Sequence, residues 1–81
     1  MTDIRIGSIV RALAGREKDR FMMVTDIRDG FVFLADGDER RLAAPKKKNI
    51  RHIALTKTVI DVTDELTDRR LRTLLSEYDK R

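Results

Sequence analysis

Turn signals recur at short intervals through the first two thirds of the chain, and this spacing leaves no room for long helices there. Between residues 4 and 53 the apolar residues form short runs of β-branched and aromatic types, separated by glycine and aspartate. Such runs are typical of strands. Asp29 and Gly30 lie between two of them and predict a type I′ hairpin turn, because both central residues of that turn need a positive φ.

The same punctuation predicts five short strands. We expect them at Ser8–Leu13, Arg20–Ile27 and Phe31–Ala35, within residues 39–43, and at Arg51–Leu55. Pro45 should end the fourth, because proline has no amide hydrogen to donate to a ladder. The lysines that follow should then form a basic loop. Five strands with tight turns suffice for a small, strongly bent barrel rather than a sandwich.

Beyond Thr56 the spacing of the apolar residues changes from that of strands to that of a helix. One apolar stripe of an amphipathic helix is formed by Leu71, Leu74, Leu75 and Tyr78, at i, i+3, i+4 and i+7. Thr67 is a suitable N-cap, which predicts a helix from about Asp68 to Asp79. We therefore expect a barrel over residues 1–57 and a C-terminal extension carrying the helix over residues 58–81.

Length and composition limit the classes of function that we expect for this chain. A chain of 81 residues fits one compact domain, so any site should be shallow. With no cysteine, one histidine, no phosphate-binding glycine loop and no metal-ligand spacing, we expect no catalytic site, metal, cofactor or small-molecule substrate. No run approaches the roughly 20 apolar residues of a membrane span. A reducing cytoplasm is the expected compartment.

The positive charge is concentrated in one short stretch. The net charge is +4, from 18 basic and 14 acidic residues. Residues 46–57 hold five of these cations, and no acid occurs between Arg41 and Asp61. Such clustering predicts a polyanionic partner.

The segment GSIVRALAGREKDRFMMV resembles the KOW motif of RNA-binding proteins. The matching positions are Gly7, Val10, Gly15, Arg16, Lys18 and the apolar run ending at Val24. With ADGDERRLAAPKKKNIRHI, the likeness extends over residues 4–55 to short KOW-domain relatives of archaeal and eukaryotic large-subunit ribosomal proteins. It implies an SH3-like barrel whose first hairpin loop and basic edge contact ribosomal or other structured RNA.

The sequence departs from the family pattern at one position of the first hairpin. A glycine usually follows the lysine in that family, whereas Asp19 follows Lys18 here. Aspartate tolerates left-handed backbone angles better than most residues, so the turn should be retained. Its carboxylate nevertheless adds negative charge beside the expected phosphate contacts.

Two groups of cations are the candidate RNA contacts. In the first hairpin, Arg16, Lys18 and Arg20 alternate, so a strand-like edge would place them on one side. In the second, the cations neutralise phosphates, while Asn49 and His52 add hydrogen bonds or stacking. Its cations are Lys46, Lys47, Lys48, Arg51 and Lys57. The expected contacts are Arg11, Arg16, Lys18, Arg20, Arg41, Lys46, Lys47, Lys48, Asn49, Arg51 and His52.

Alternatives stay open at this point. The hairpin charges could cancel locally, Arg40 and Arg41 could pair with the acidic turn before them, and lysines on an exposed loop could serve solubility alone. A protein-interaction module of the translation or transcription machinery would use the barrel edge or the helix stripe, with ribosomal proteins among its partners. A non-specific nucleic-acid chaperone would bind DNA equally well. Phe21, Phe31 and Phe33 could serve as stacking platforms for bases, but with only four aromatic residues in the chain we expect most of them to be needed in the core.

Overall fold

A computed structural model describes residues 4–79, so residues 1–3 and 80–81 of the two expected segments lie outside the description. The chain is mainly β, with five antiparallel strands in one sheet of order β4-β3-β2-β1-β5 and one C-terminal helix. The strands are β1 Ser8–Ala12, β2 Phe21–Arg28, β3 Phe31–Ala35, β4 Lys46–Asn49 and β5 Ile53–Val59. The helix α1 is Asp68–Asp79, and a 3₁₀-helix, Ile50–His52, precedes β5. The expected fold class is confirmed.

The hairpin between β2 and β3 has the predicted turn. Asp29 has φ of 47° and Gly30 has φ of 82°, so both central residues adopt the positive φ that a type I′ turn requires. The strands then pair from Arg28 opposite Phe31 onward. The sequence located this turn to the residue.

Two strand predictions were wrong. Within residues 39–43 there is no strand, because the Asp36 carboxylate accepts hydrogen bonds from the backbone N–H groups of Asp38 and Arg40 and holds this segment in a loop. The expected basic loop is instead β4, which pairs with β3 through Phe31 opposite Asn49. Lysine-rich edge strands are common, since lysine discourages further strand addition. The segment was predicted to be a loop because it is rich in lysine, although its backbone forms an extended strand.

Strand β2 buries side chains on both of its faces. On one side Met22 and Val24 join an inner cluster with Val10, Val32 and Leu34. Ile50 and Ile53, from the 3₁₀-helix and the start of β5, pack against the same cluster. The sheet thus curves around the inner cluster.

An outer cluster lies between the opposite face of the sheet and helix α1. Its buried members are Ile9, Met23, Ala35, Leu71 and Leu75. The Phe21 and Tyr78 rings add to it, with centroids 5.0 Å apart. The apolar stripe of the helix therefore faces the sheet.

The start of α1 is held by its cap and by the loop between β3 and β4. The Thr67 hydroxyl accepts a hydrogen bond from the Arg70 N–H at 3.1 Å, which confirms the predicted N-cap. The Asp68 carboxylate accepts another from the Leu42 N–H at 2.7 Å. A Cβ on Gly37 would collide with the Asp68 carbonyl oxygen. The helix thus docks directly against this loop.

Candidate nucleic-acid interface

The first hairpin loop, residues 13–20, is a compact turn rather than an extended edge. Its backbone N–H groups at Lys18 and Arg20 donate to the carbonyls of Gly15 and Glu17. Because residues 16–19 form turns, the predicted strand-like alternation of the loop cations is wrong. Asp19 has φ of 70°, so aspartate does occupy the left-handed region where the family pattern has glycine.

A buried ion cluster, formed by Glu17, Arg40 and Lys48, fastens this loop to β4. Only 2% of the Glu17 side chain and 8% of the Lys48 side chain are exposed. The Lys48 ammonium donates to the Ala14 carbonyl at 2.7 Å and lies 3.6 Å from the Glu17 carboxylate. The Arg40 guanidinium contacts the same carboxylate at 3.4 Å. Lys48, expected among the RNA contacts, is thus already engaged inside the protein.

The carboxyl group of Glu17 is held in its charged form. Burial by itself would raise the pKa of Glu17, but the hydrogen bond and the charge of Arg40, together with the charges of Lys48 and Lys46, outweigh that effect and lower the pKa. Glu17 is therefore buried, ionised and neutralised by cations.

Arg20 is also engaged within the protein. Its guanidinium lies 3.2 Å from the Asp36 carboxylate and 3.4 Å from the Glu39 carboxylate. The acidic turn thus pairs with Arg20 of the first hairpin, not with Arg40 and Arg41 as the alternative proposed. Arg40 joins the buried ion cluster, and Arg41 is exposed in the loop between β3 and β4. Arg20 has little capacity left for a phosphate.

The remaining candidates of the second group differ in their availability. The Asn49 side chain accepts a hydrogen bond from the Arg51 N–H at 2.9 Å and caps the 3₁₀-helix. The Lys47 ammonium lies 4.4 Å from the centre of the Phe31 ring. Arg51 and His52 are exposed. Asn49 therefore has a local structural role, whereas Arg51 and His52 face solvent.

The structure brings the first hairpin loop and the lysine strand to one end of the barrel. Lys48 joins the loop to β4, and the Leu13 N–H donates to the His52 carbonyl at 2.8 Å, which joins the loop to the 3₁₀-helix. We call the exposed cations of these three segments the basic edge. They are Arg16, Lys18, Lys46 and Arg51; Lys47 is also exposed but lies on the other side of β4, opposite Phe33, and is not included.

Arg11 does not share the environment of the buried ion cluster. It is exposed in β1, opposite Phe21 on one side and Ala54 on the other. Phe21 packs against the outer cluster, so Arg11 lies on the sheet face that carries the helix. Lys48 lies opposite Val32 of the inner cluster. The structure therefore gives no reason to group Arg11 with the basic edge.

Sequence reasoning missed the buried ion cluster, although one signal for it exists. Lys46 and Lys48 are two residues apart, so in a strand they share a side. If β4 had been predicted as a strand beside β3, Lys48 would have required a buried acidic partner, since an unpaired buried ammonium is costly. Glu17 and Asp19, each flanked by cations in the first hairpin, were the two candidates.

Comparison of the sequence with known protein families and with curated proteins finds no match. Among residues 4–79, no group of three or more acidic, histidine or cysteine side chains converges as a metal site would require. In the same part of the chain, no helix is long and apolar enough to cross a membrane.

Proposed function

We propose that this protein binds structured RNA by its phosphate backbone at the basic edge. The observation that carries the proposal is the attachment of the first hairpin loop to β4 by Lys48, whose ammonium bonds the Ala14 carbonyl and faces Glu17. This attachment keeps two groups of exposed cations at one end of the barrel. Ribosomal RNA is the target that the resemblance to KOW-domain proteins implies, and ribosomal proteins would be the neighbours there.

The electrostatics of the edge favour an anionic ligand. Glu17 is buried and paired, so it places little negative potential at the surface, and Asp19 is the exposed acid of the loop. Lysine contacts phosphate as a point charge, while arginine binds it with two parallel hydrogen bonds. Backbone contacts of this kind set affinity and orientation without reading sequence. We therefore propose modest sequence discrimination.

Charge reversal at the basic edge tests the proposal. Lys46→Glu and Arg51→Glu should each weaken binding to a structured RNA, measured by fluorescence anisotropy. About four phosphate contacts should give a slope of roughly −3 to −4 for log affinity against log salt concentration, and each reversal should flatten that slope by about one. Circular dichroism would verify that the variants fold.

Lys57→Glu is the matched control. Lys57 is an exposed lysine of β5, beyond the point where Leu55 pairs with Val10, so it lies away from the first hairpin loop. Its reversal changes net charge equally but should leave the salt slope nearly unchanged. Equal losses in the control and edge variants, or an affinity independent of salt, would overturn the proposal. Competition between duplex DNA and structured RNA distinguishes RNA binding from the non-specific chaperone function.

A protein-interaction module is the second candidate, favoured by one observation. Strand β5 ends the sheet, and its Leu55 and Val59 side chains are 39% and 49% exposed. The alternative version, in which the helix stripe binds a partner, loses support because Leu71 and Leu75 are buried against the sheet. Leu55→Asp should abolish ribosome cosedimentation under this candidate, whereas Lys46→Glu should do so under RNA binding.

A further inference from the structure

The outer face of the sheet is only partly covered by helix α1. Along β3 the side chains of Phe31, Phe33 and Ala35 share this face, because alternate residues of a strand point the same way. Ala35 is buried in the outer cluster beneath the helix. Phe31 and Phe33 are only partly buried, so each keeps some solvent-accessible surface, and neither is among the residues that pack against the two hydrophobic clusters. Of the four aromatic residues, Phe21 and Tyr78 pack against the outer cluster, whereas Phe31 and Phe33 do not.

The two partly buried rings are bordered by polar and charged side chains. Phe33 lies between Asp26 of β2 and Lys47 of β4 in the strand register. Phe31 lies between Arg28 and Asn49 in the same way. We call Phe31, Phe33 and Lys47 the aromatic patch.

The patch carries positive charge of its own. Arg28 and Asp26 pair at 2.9 Å and largely cancel each other. Lys47 is left as the cation of the patch, with its ammonium 4.4 Å from the centre of the Phe31 ring. An exposed cation over an aromatic face is a weak interaction, so a stacking ligand can displace it.

We propose that the aromatic patch binds an unpaired base of the RNA whose phosphates lie on the basic edge. The inference rests on the proposed function and adds a ligand to it. Exposed aromatic rings stack on nucleobases with little regard to sequence, because every base has a π-face. The Lys47 ammonium, displaced from the Phe31 ring, pairs with the phosphate of the stacked nucleotide.

Continuity with the basic edge favours a nucleotide over a peptide as the occupant. The Ile50 N–H donates to the Gly30 carbonyl at 3.0 Å, so the 3₁₀-helix that carries Arg51 contacts the turn directly before Phe31. Asn49, opposite Phe31, caps this 3₁₀-helix. An RNA strand bound through Arg51 therefore reaches the patch by way of its next nucleotides.

The experiment compares two RNAs with the same stem. One is a stem of about 16 base pairs closed by a loop of unpaired uridines, and the other is the blunt duplex. A variant with Phe31→Leu and Phe33→Leu keeps apolar side chains but loses both aromatic faces. Its affinity for the stem-loop should fall about tenfold, and its affinity for the blunt duplex should not change. The matched control carries Phe31→Tyr and Phe33→Tyr, keeps the rings and should bind both RNAs like the wild type.

Ring resonances of the wild-type protein give a readout that needs no substitution. Titration with an oligouridylate of about ten nucleotides should shift the Phe31 and Phe33 ring protons upfield, because a stacked base shields them. Unshifted rings, or equal losses of affinity for both RNAs, overturn the inference while leaving phosphate binding in place. Unchanged affinities in the leucine variant also overturn it and indicate a protein cover for the patch. No binding of the wild type to either RNA refutes the proposed function, and the inference with it.

Discussion

The ammonium of Lys48 lies 3.6 Å from the carboxylate of Glu17, and both side chains are buried between the first hairpin loop and β4. Lys48 lies in the most basic run of the chain, and Glu17 lies in the middle of the run GREKDR. Lys48, which was expected to bind RNA, instead pairs with Glu17 inside the protein. Their pairing leaves the neighbouring cations exposed on a fixed loop.

Lys48→Met should destabilise the protein by about 2–4 kcal/mol, because it leaves the Glu17 carboxylate buried with only Arg40 and removes the bond to Ala14. Urea denaturation would measure the loss. Hydrogen exchange at the amides of residues 13–20 should accelerate more than elsewhere. Lys46→Met, which removes an exposed lysine two residues away, should cost under about 0.5 kcal/mol. Similar losses in the two variants would contradict a structural role for Lys48.

Stability should fall in acid in a way that depends on Glu17. Although burial opposes it, the cations around Glu17 lower its pKa below the ordinary value of 4.5. A lowered pKa in the folded state means that the stabilisation is present above that value and is lost as the pH falls through the lowered pKa. Glu17→Gln lacks this titration.

The free energy of unfolding, measured in urea at pH 7 and at about pH 3, would check this. The wild type should lose more stability than the Glu17→Gln variant over that interval, because the carboxylates common to both contribute equally. Equal losses in the two proteins would show that Glu17 does not titrate with a lowered pKa.

Gly37→Ala should unfold more easily than Gly30→Ala. The two glycines have nearly the same φ, 78° and 82°, so the backbone strain of about 1 kcal/mol is common to both. A methyl group at residue 30 meets no atom within 4 Å, whereas one at residue 37 collides with the Asp68 carbonyl. We expect a total cost of about 3 kcal/mol at residue 37, with loss of helix docking. Thermal denaturation that ranks the two variants equally would refute the role of Gly37 in seating the helix.

Removing the exposed acid of the first hairpin loop should strengthen RNA binding. Asp19→Asn keeps a residue that tolerates the observed φ of 70°, so stability should be unchanged. Removal of the carboxylate should raise affinity about twofold at low salt, with a smaller gain at high salt. Asp64→Asn removes an equally exposed acid before the helix and should have less effect. Equal gains in affinity in the two variants would show that the net charge of the protein affects RNA binding and the position of the acid does not.

Local patterns predicted most of the architecture. The hairpin at Asp29 and Gly30 and the helix cap at Thr67 each depend on residues close together in sequence, and both were confirmed. The prediction of the fourth strand was wrong because the features that determine this strand are not local in sequence. Lys46–Asn49 has no apolar alternation, and it is a strand because β3 offers its backbone an edge.

The availability of the predicted contacts was decided by tertiary structure. Sequence composition identified a basic chain with clustered cations, and the exposure of Arg16, Lys18, Lys46 and Arg51 agrees with that expectation. It could not show that Arg20 lies among the acids of the β3–β4 loop, or that Lys48 turns inward. The presence of a charged residue in the sequence does not reveal its ion-pair partner, because the fold of the backbone determines which residues come close to it.

By itself, the amino-acid order determined where the chain turns, which apolar residues alternate and where the helix begins, since each depends on the backbone preferences and periodicity of neighbouring residues. The tertiary structure alone decided which cations reach solvent and which aromatic rings keep solvent-accessible surface. Those outcomes depend on contacts between segments far apart in sequence, such as Glu17 with Lys48, and on how much of the sheet one short helix can cover.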